Sequence, residues 1–232
     1  MPSNSPSPDQ TIIAEEQLAP GSAASSKESE MQRGNSRKPE PEAEPASGDA
    51  LLEKIAAELY GISSMLLGEG EEAVGLIEGV VANVDLPTCC DTAEARRKAR
   101  LLLAADAITL LGQRDASTNE ALAAPGDDSG PAGCIEDDDL SAAGVTPDEL
   151  ERMITGPEHH RLRDWLEGLS DSLRVIFVLR AIAALTSVEV AELLSKYGGL
   201  AARGWTAEAV RSNFRQALCS LASQLIHATA TK

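Results

Sequence analysis

Apolar residues in this chain return at intervals of three and four, which gathers side chains on one face of an α-helix. Leu51, Leu52, Ile55, Leu59, Ile62, Met65 and Leu66 form the first such stripe. Gly68 and Gly70 break it, a second apolar run extends from Ala73 to Val84, and Pro87 ends that run. A third pattern begins near Thr92, with Glu94 in the expected first turn, and carries Leu101, Leu102, Ala105, Ile108 and Leu111. Ala and Leu dominate the apolar set and aromatic residues make up only 3%, so an aromatic-rich β-sandwich is not expected. The expected fold class is all-α.

The charge of −17 is unevenly distributed. Residues 1–47 and 48–114 carry −4 and −5, residues 115–151 carry −11 with no basic residue, and residues 161–232 carry +3. A phosphate backbone is therefore to be sought as a partner only at the C-terminal end. Residues 1–47, rich in Ser, Pro, Glu and Gly, bury too little apolar surface to offset ordering entropy and read as a disordered tail. Residues 115–157, with Gly126-Asp127-Asp128-Ser129-Gly130-Pro131 and Glu136-Asp137-Asp138-Asp139, read as a flexible, self-repelling acidic linker. It lacks the alternate ligand spacing of a calcium loop. The expected architecture is two small helical bundles, 48–114 and 158–232, joined by this linker.

The C-terminal segment carries the most specific signals. Ser170 is placed to cap a helix containing Leu173, Ile176, Phe177 and Arg180. Thr186-Ser187-Val188-Glu189 matches a capping box ahead of a short helix that stops at Gly198-Gly199. Thr206 then caps a long final helix with Val210, Phe214, Ala217, Leu221 and Leu225 in an apolar stripe. Arg211 and Arg215 lie on its opposite side, the arrangement a helix-turn-helix unit requires.

These residues resemble region 4 of bacterial RNA polymerase sigma factors of the extracytoplasmic-function type. Leu166 to Arg180 is similar to that region's opening helix, Ala184 to Leu194 to its middle helix, and Val210 to Ala217 to its recognition helix. Residues 48–114 resemble the family's region 2. Leu59-Tyr60 with Leu66-Leu67-Gly68 is similar to its first helix, and Glu71 to Val81 to the segment that grips core polymerase. The resemblance implies polymerase contacts at Leu76, Ile77, Glu78, Val80 and Val81. It implies phosphate contacts at Arg96, Arg97, Lys98 and Arg100, and promoter contacts at Thr206, Arg211, Ser212, Asn213 and Arg215. The chain departs from the family at several points. Gly75 and Gly79 replace acidic residues, no aromatic residue lies between Asp91 and Gln113 to stack unpaired bases, and Tyr197 to Trp205 is a long turn. Asn213 and Gln216 stand where basic residues are usual.

The implied function is a sigma-factor-like transcription initiation protein whose partners are core RNA polymerase, promoter DNA and an anti-sigma factor. The alternative is a degenerate sigma-like adaptor that acts through protein contacts with little promoter binding. The tail and the linker together carry most of the negative charge, so they are also candidates for an internal mask over the basic final helix. No enzyme is expected, because the three histidines suggest no triad and no phosphate-binding glycine loop is present. No cofactor is implied. Cys89-Cys90 and His159-His160 supply zinc-type ligands without a C-x-x-C pair, so no metal site is expected. Four irregularly spaced cysteines suggest no disulfide framework. No apolar run approaches the ~20 residues of a membrane span. Met1-Pro2-Ser3-Asn4 has no basic start or apolar core segment, so no secretory signal is expected and the cytoplasm is the expected compartment.

Overall fold

A computed structural model describes residues 48–83, 92–114, 122–125, 134–157 and 159–230. The expected tail, Cys89 and Cys90 lie outside the described residues. All regular structure among the described residues is helical. Helices α1 (Gly48–Leu67), α2 (Glu71–Asn83) and α3 (Thr92–Arg114) follow the three apolar patterns and pack on one another. Gly68 ends α1 in the left-handed region, φ 88°, with its N–H donating to Ser64 O at 3.0 Å. No helix among the described residues is long and apolar enough to cross a membrane.

The stretch expected as acidic linker contains ordered structure. A 3-10 turn occupies Leu140–Ala143, and α4 covers Pro147–Thr155. The local cause of α4 is a capping box. The Thr146 N–H and hydroxyl donate to Glu149 Oε2 at 2.8 and 2.9 Å, the Glu149 N–H returns to Thr146 Oγ1, and Pro147 presets the first turn. Leu122, Ile135, Val145 and Leu150 anchor the surrounding chain by burial in the core. Ile135, beside the run Glu136-Asp137-Asp138-Asp139, and Leu150, between Glu149 and Glu151, are masked in the sequence by the carboxylates that flank them.

The C-terminal helices are α5 (His159–Glu167), α6 (Asp171–Phe177), α7 (Ser187–Tyr197) and α8 (Ala207–Ala230). Ser170 precedes α6 in extended conformation but makes no side-chain cap; its hydroxyl lies 3.3 Å from Ser172 Oγ instead. After α6 the chain widens into a π turn at Val178–Ile182, with the Ala183 N–H donating to Val178 O at 2.9 Å. Ala184 then adopts φ 53° to turn the chain toward α7. A side chain pays strain there that glycine avoids, and Ala184 is exposed. Ala184→Gly is expected to raise stability by about 0.5–1 kcal/mol, read as a higher urea midpoint at unchanged slope.

Phe177, wholly buried, is the hub of this half. Its ring meets Trp165 edge-on at 4.8 Å and Phe214 of α8 at 6.1 Å. Trp165 and Trp205 are both buried, as core anchors should be, and each indole N–H has a partner: Ser220 Oγ at 3.0 Å and Leu122 O at 2.9 Å. The buried residues of α1–α3 and those of α5–α8 belong to a single apolar cluster. Helix α3 packs along α7, and α1 touches the π turn. Arg100 of α3 ties this seam by pairing with Glu58 of α1 and donating to Ala183 O at 3.2 Å.

Candidate nucleic-acid interface

Helices α6, α7 and α8 build the candidate interface. The capping box at Thr186 forms as its sequence requires: the Thr186 N–H and hydroxyl donate to Glu189 Oε2 at 2.8 and 2.7 Å, and the Glu189 N–H donates to Thr186 Oγ1 at 3.2 Å. The α7 helix stops at Gly198, whose N–H donates to Leu194 O, and Gly199 follows at φ 88°. The long connection to α8 is itself structured, with a 3-10 turn at Ala201–Gly204. It is pinned from one side by Ser195 Oγ donating to Trp205 O at 3.1 Å and from the other by residues 122–125. There the Ala124 N–H donates to Ala201 O at 2.9 Å. Thr206 caps α8 by accepting the Ala209 N–H at 3.1 Å.

Val210, Phe214, Ala217, Leu218 and Leu221 of α8 face the core. Thr206 and Ser212 are exposed, and Arg211 and Arg215 are partly exposed on the outer side. Both arginines are already engaged. Arg211 Nε and Nη2 donate to Glu208 Oε2 at 3.0 and 2.6 Å. Arg215 Nη2 reaches Glu208 Oε1 at 3.4 Å, and its Nη1 donates to the Glu136 carbonyl at 3.1 Å. Asn213 turns back on its own helix, with Nδ2 donating to Ala209 O at 2.9 Å. The helix therefore presents hydroxyls directly and guanidinium groups through a carboxylate.

The four basic residues of α3 divide similarly. Arg96 lies 3.9 Å from Glu58, Arg97 pairs with Glu189 of α7, and Arg100 sits in the seam. Lys98 is exposed with no acidic partner among the described residues. On α2, Leu76, Ile77 and Val80 are only 7%, 9% and 1% exposed and pack inward, so they cannot meet a partner in this arrangement. Glu78 is exposed and Val81 half-buried, and the outer face of α2 is made of Glu71, Glu72, Val74, Gly75 and Glu78. The reason is the helical period: the strongest apolar residues of the α2 segment fall on the stripe that α1 and α3 need.

The cysteine pattern misled. Cys134 and Cys219 form a disulfide across 85 residues of sequence, with Cα atoms 5.8 Å apart. The fold brings them together by laying residues 134–143 against α8, a proximity no sequence spacing reveals. Arg180 also holds this segment. Its Nη2 donates to Asp138 O and Oδ2 at 3.3 and 3.2 Å, its Nη1 donates to Leu185 O at 3.1 Å, and its guanidinium lies 5.0 Å from the Phe214 ring centre.

Several of these carboxyls sit below their ordinary range. Burial pushes Glu189 up, but the Thr186 N–H and hydroxyl and the Arg97 guanidinium together hold it low. Hydrogen bonds from Thr146 lower Glu149, and the hydrogen bond and charge of Arg211 lower Glu208. A carboxyl depressed by folding contributes fully above its unfolded value of about 4.5 and loses that contribution as pH falls through the lower folded value. The melting temperature is therefore expected to be flat with respect to these groups near neutrality and to drop below about pH 4.5. Glu189→Gln should make the acid limb shallower in a pH series of melting curves. No protein-family model, curated protein or solved structure matches this chain.

Proposed function

We propose that this chain is a sigma-factor-like transcription initiation protein that binds core RNA polymerase in the cytoplasm and directs it to promoter DNA through its C-terminal helix-turn-helix. The observation that carries the reading is the succession α6, capped α7 and capped α8, with Ser212, Arg211 and Arg215 on the outer side of the last helix. Docked in a major groove, such a helix offers its first turns to base edges, and its N-terminus favours a backbone phosphate. Arginine released from Glu208 is suited to the paired acceptors of guanine. On this reading the polymerase-facing surface of the N-terminal helices is the outer side of α2 around Val74 and Glu78, and Lys98 is the readiest phosphate contact on α3.

A titration of the purified chain against bacterial core RNA polymerase, followed by a promoter-opening assay, tests the reading. Binding with opening supports it, and no binding overturns it. Arg211→Ala with Arg215→Ala is expected to weaken promoter binding by about 1–3 kcal/mol per base-reading contact and to make its salt dependence shallower by about one counterion per lost phosphate contact. The adaptor reading has its own supporting observation. Arg96, Arg97, Arg100, Arg211 and Arg215 are all paired with carboxylates of this same chain. It predicts polymerase binding without opening and indifference to the double substitution.

A further inference from the structure

Residues Glu208, Arg211, Ser212, Arg215 and Cys219 recur at three- and four-residue steps on α8 and so share one side of that helix. Cys219 is the point at which the acidic segment 134–139 is covalently joined to that side. From Cys134 the segment runs through Ile135, which is buried, to Glu136, whose carbonyl accepts from Arg215, and to Asp138, which accepts from Arg180. Four separate contacts thus fix an acidic strap beside Arg215 on the arginine-bearing side of α8: a covalent bond to Cys219, an apolar anchor, and guanidinium clasps from Arg215 and from Arg180 of the π turn. An acidic strap over a cationic face excludes a phosphate backbone both by occupying the arginine and by like-charge repulsion.

We infer that Cys134–Cys219 is a redox latch: when oxidised it clamps residues 134–139 over the DNA-facing side of α8, and when reduced it frees that side. The inference rests on the reading of α8 as a DNA-binding helix and supplies its regulation. The chemistry is thiol–disulfide exchange with a dithiol reductant. Cys134 is exposed, whereas Cys219 is half-buried, so a reductant thiolate reaches the Cys134 sulfur first. The S–S bond breaks, Cys219 leaves as a thiolate and takes a proton, and a mixed disulfide forms at Cys134. The second reductant thiol then displaces Cys134 as a thiol, and the reductant departs as its own disulfide, having given two electrons and two protons. Reoxidation by a disulfide of higher potential reverses each step. Without the covalent tie, the strap keeps Ile135, the hydrogen bond of Arg215 to the Glu136 carbonyl and the Arg180–Asp138 ion pair, and a polyanion competes for Arg215 directly.

The test uses the full chain, oxidised or treated with excess dithiothreitol, titrated onto a fluorescent mixed-sequence DNA duplex at about 50 mM salt. Reduction is expected to raise affinity about tenfold, the size of one recovered phosphate contact at this salt. Cys134→Ser should bind with the higher affinity whatever the redox state. In parallel, hydrogen exchange at residues 135–145 should quicken on reduction as the strap loosens. Equal, measurable affinity in both states overturns the latch, as does unchanged exchange of the strap. Faster exchange with no DNA binding in either state upholds the latch and overturns the DNA-binding reading of α8.

Discussion

Phe177→Ala is expected to destabilise the chain by about 3–5 kcal/mol, a large part of the ~5–15 kcal/mol that keeps a typical domain folded. The side chain is wholly buried between Trp165 of α5 and Phe214 of α8, so its removal loses transfer energy and leaves a cavity among three helices. Collapse into that cavity is resisted from several directions. The Trp165 indole is held by Ser220, and Phe214 lies under the Arg180 guanidinium, which is itself held by Leu185 and Asp138. Calorimetry should register a fall in melting temperature of roughly 10 °C for a chain of this size. A shift of only a degree or two would mean that the aromatic trio is not the hub of the C-terminal half. Phe177→Leu, which keeps most of the volume, should recover more than half of the loss.

Gly198→Ala is the second large effect, and it acts through space rather than torsion. Gly198 has an ordinary φ of −81°, but a Cβ there would stand 2.7 Å from Leu194 O and 2.7 Å from Ala202 Cβ. The first of these atoms belongs to the last turn of α7 and cannot swing away. Gly112 of α3 lies against the backbone of the same residue, where a Cβ on Gly112 would meet Gly198 O at 3.3 Å, so the Gly198 backbone has little room to back away from the clash. Overpacking of this kind costs about 1–3 kcal/mol, and the upper half of that range is expected here. Gly199→Ala is the informative contrast, since its surroundings are open and only its φ of 88° opposes a side chain. It should cost about 1 kcal/mol. If the two substitutions proved equally mild by urea denaturation, the tight approach of the 201–204 turn to the α7 terminus would be wrong.

Much of the architecture can be read from the sequence because its causes are local. The stripes of α1, α2 and α3, the capping box at Thr186, the stop at Gly198 and the cap at Thr206 depend on residues within a turn or two of one another. The fragment Thr146-Pro147-Asp148-Glu149 carried an equally good helix start, but its position inside a strongly acidic stretch drew attention to charge instead. The site was less legible than the fold. Spacing puts Arg211 and Arg215 on one side of α8 correctly and sets Glu208 three residues before Arg211, within reach of it, yet it does not disclose that the Glu136 carbonyl engages Arg215. Nor does it disclose that Arg97 and Arg100 are spent on α7, α1 and the π turn, or that Cys134 meets Cys219. Each of these is a long-range pairing, fixed only once the helices have packed. The residues that resemble a polymerase-gripping segment illustrate the same limit. Leu76, Ile77 and Val80 are apolar because α2 has an inside, and periodicity alone cannot say whether an apolar stripe is meant for the core or for a partner.

The packing of α3 along α7, tied by Arg97 to Glu189 and by Arg100 to the π turn, has a thermodynamic consequence. Any partner that must hold these two helices apart binds only the fraction of molecules already opened. Its apparent dissociation constant is then its intrinsic one divided by that fraction. Each kcal/mol stored in the seam weakens such a partner by about fivefold. Weakening the Arg97–Glu189 pair would therefore tighten the binding of such a partner without adding a single contact to the complex.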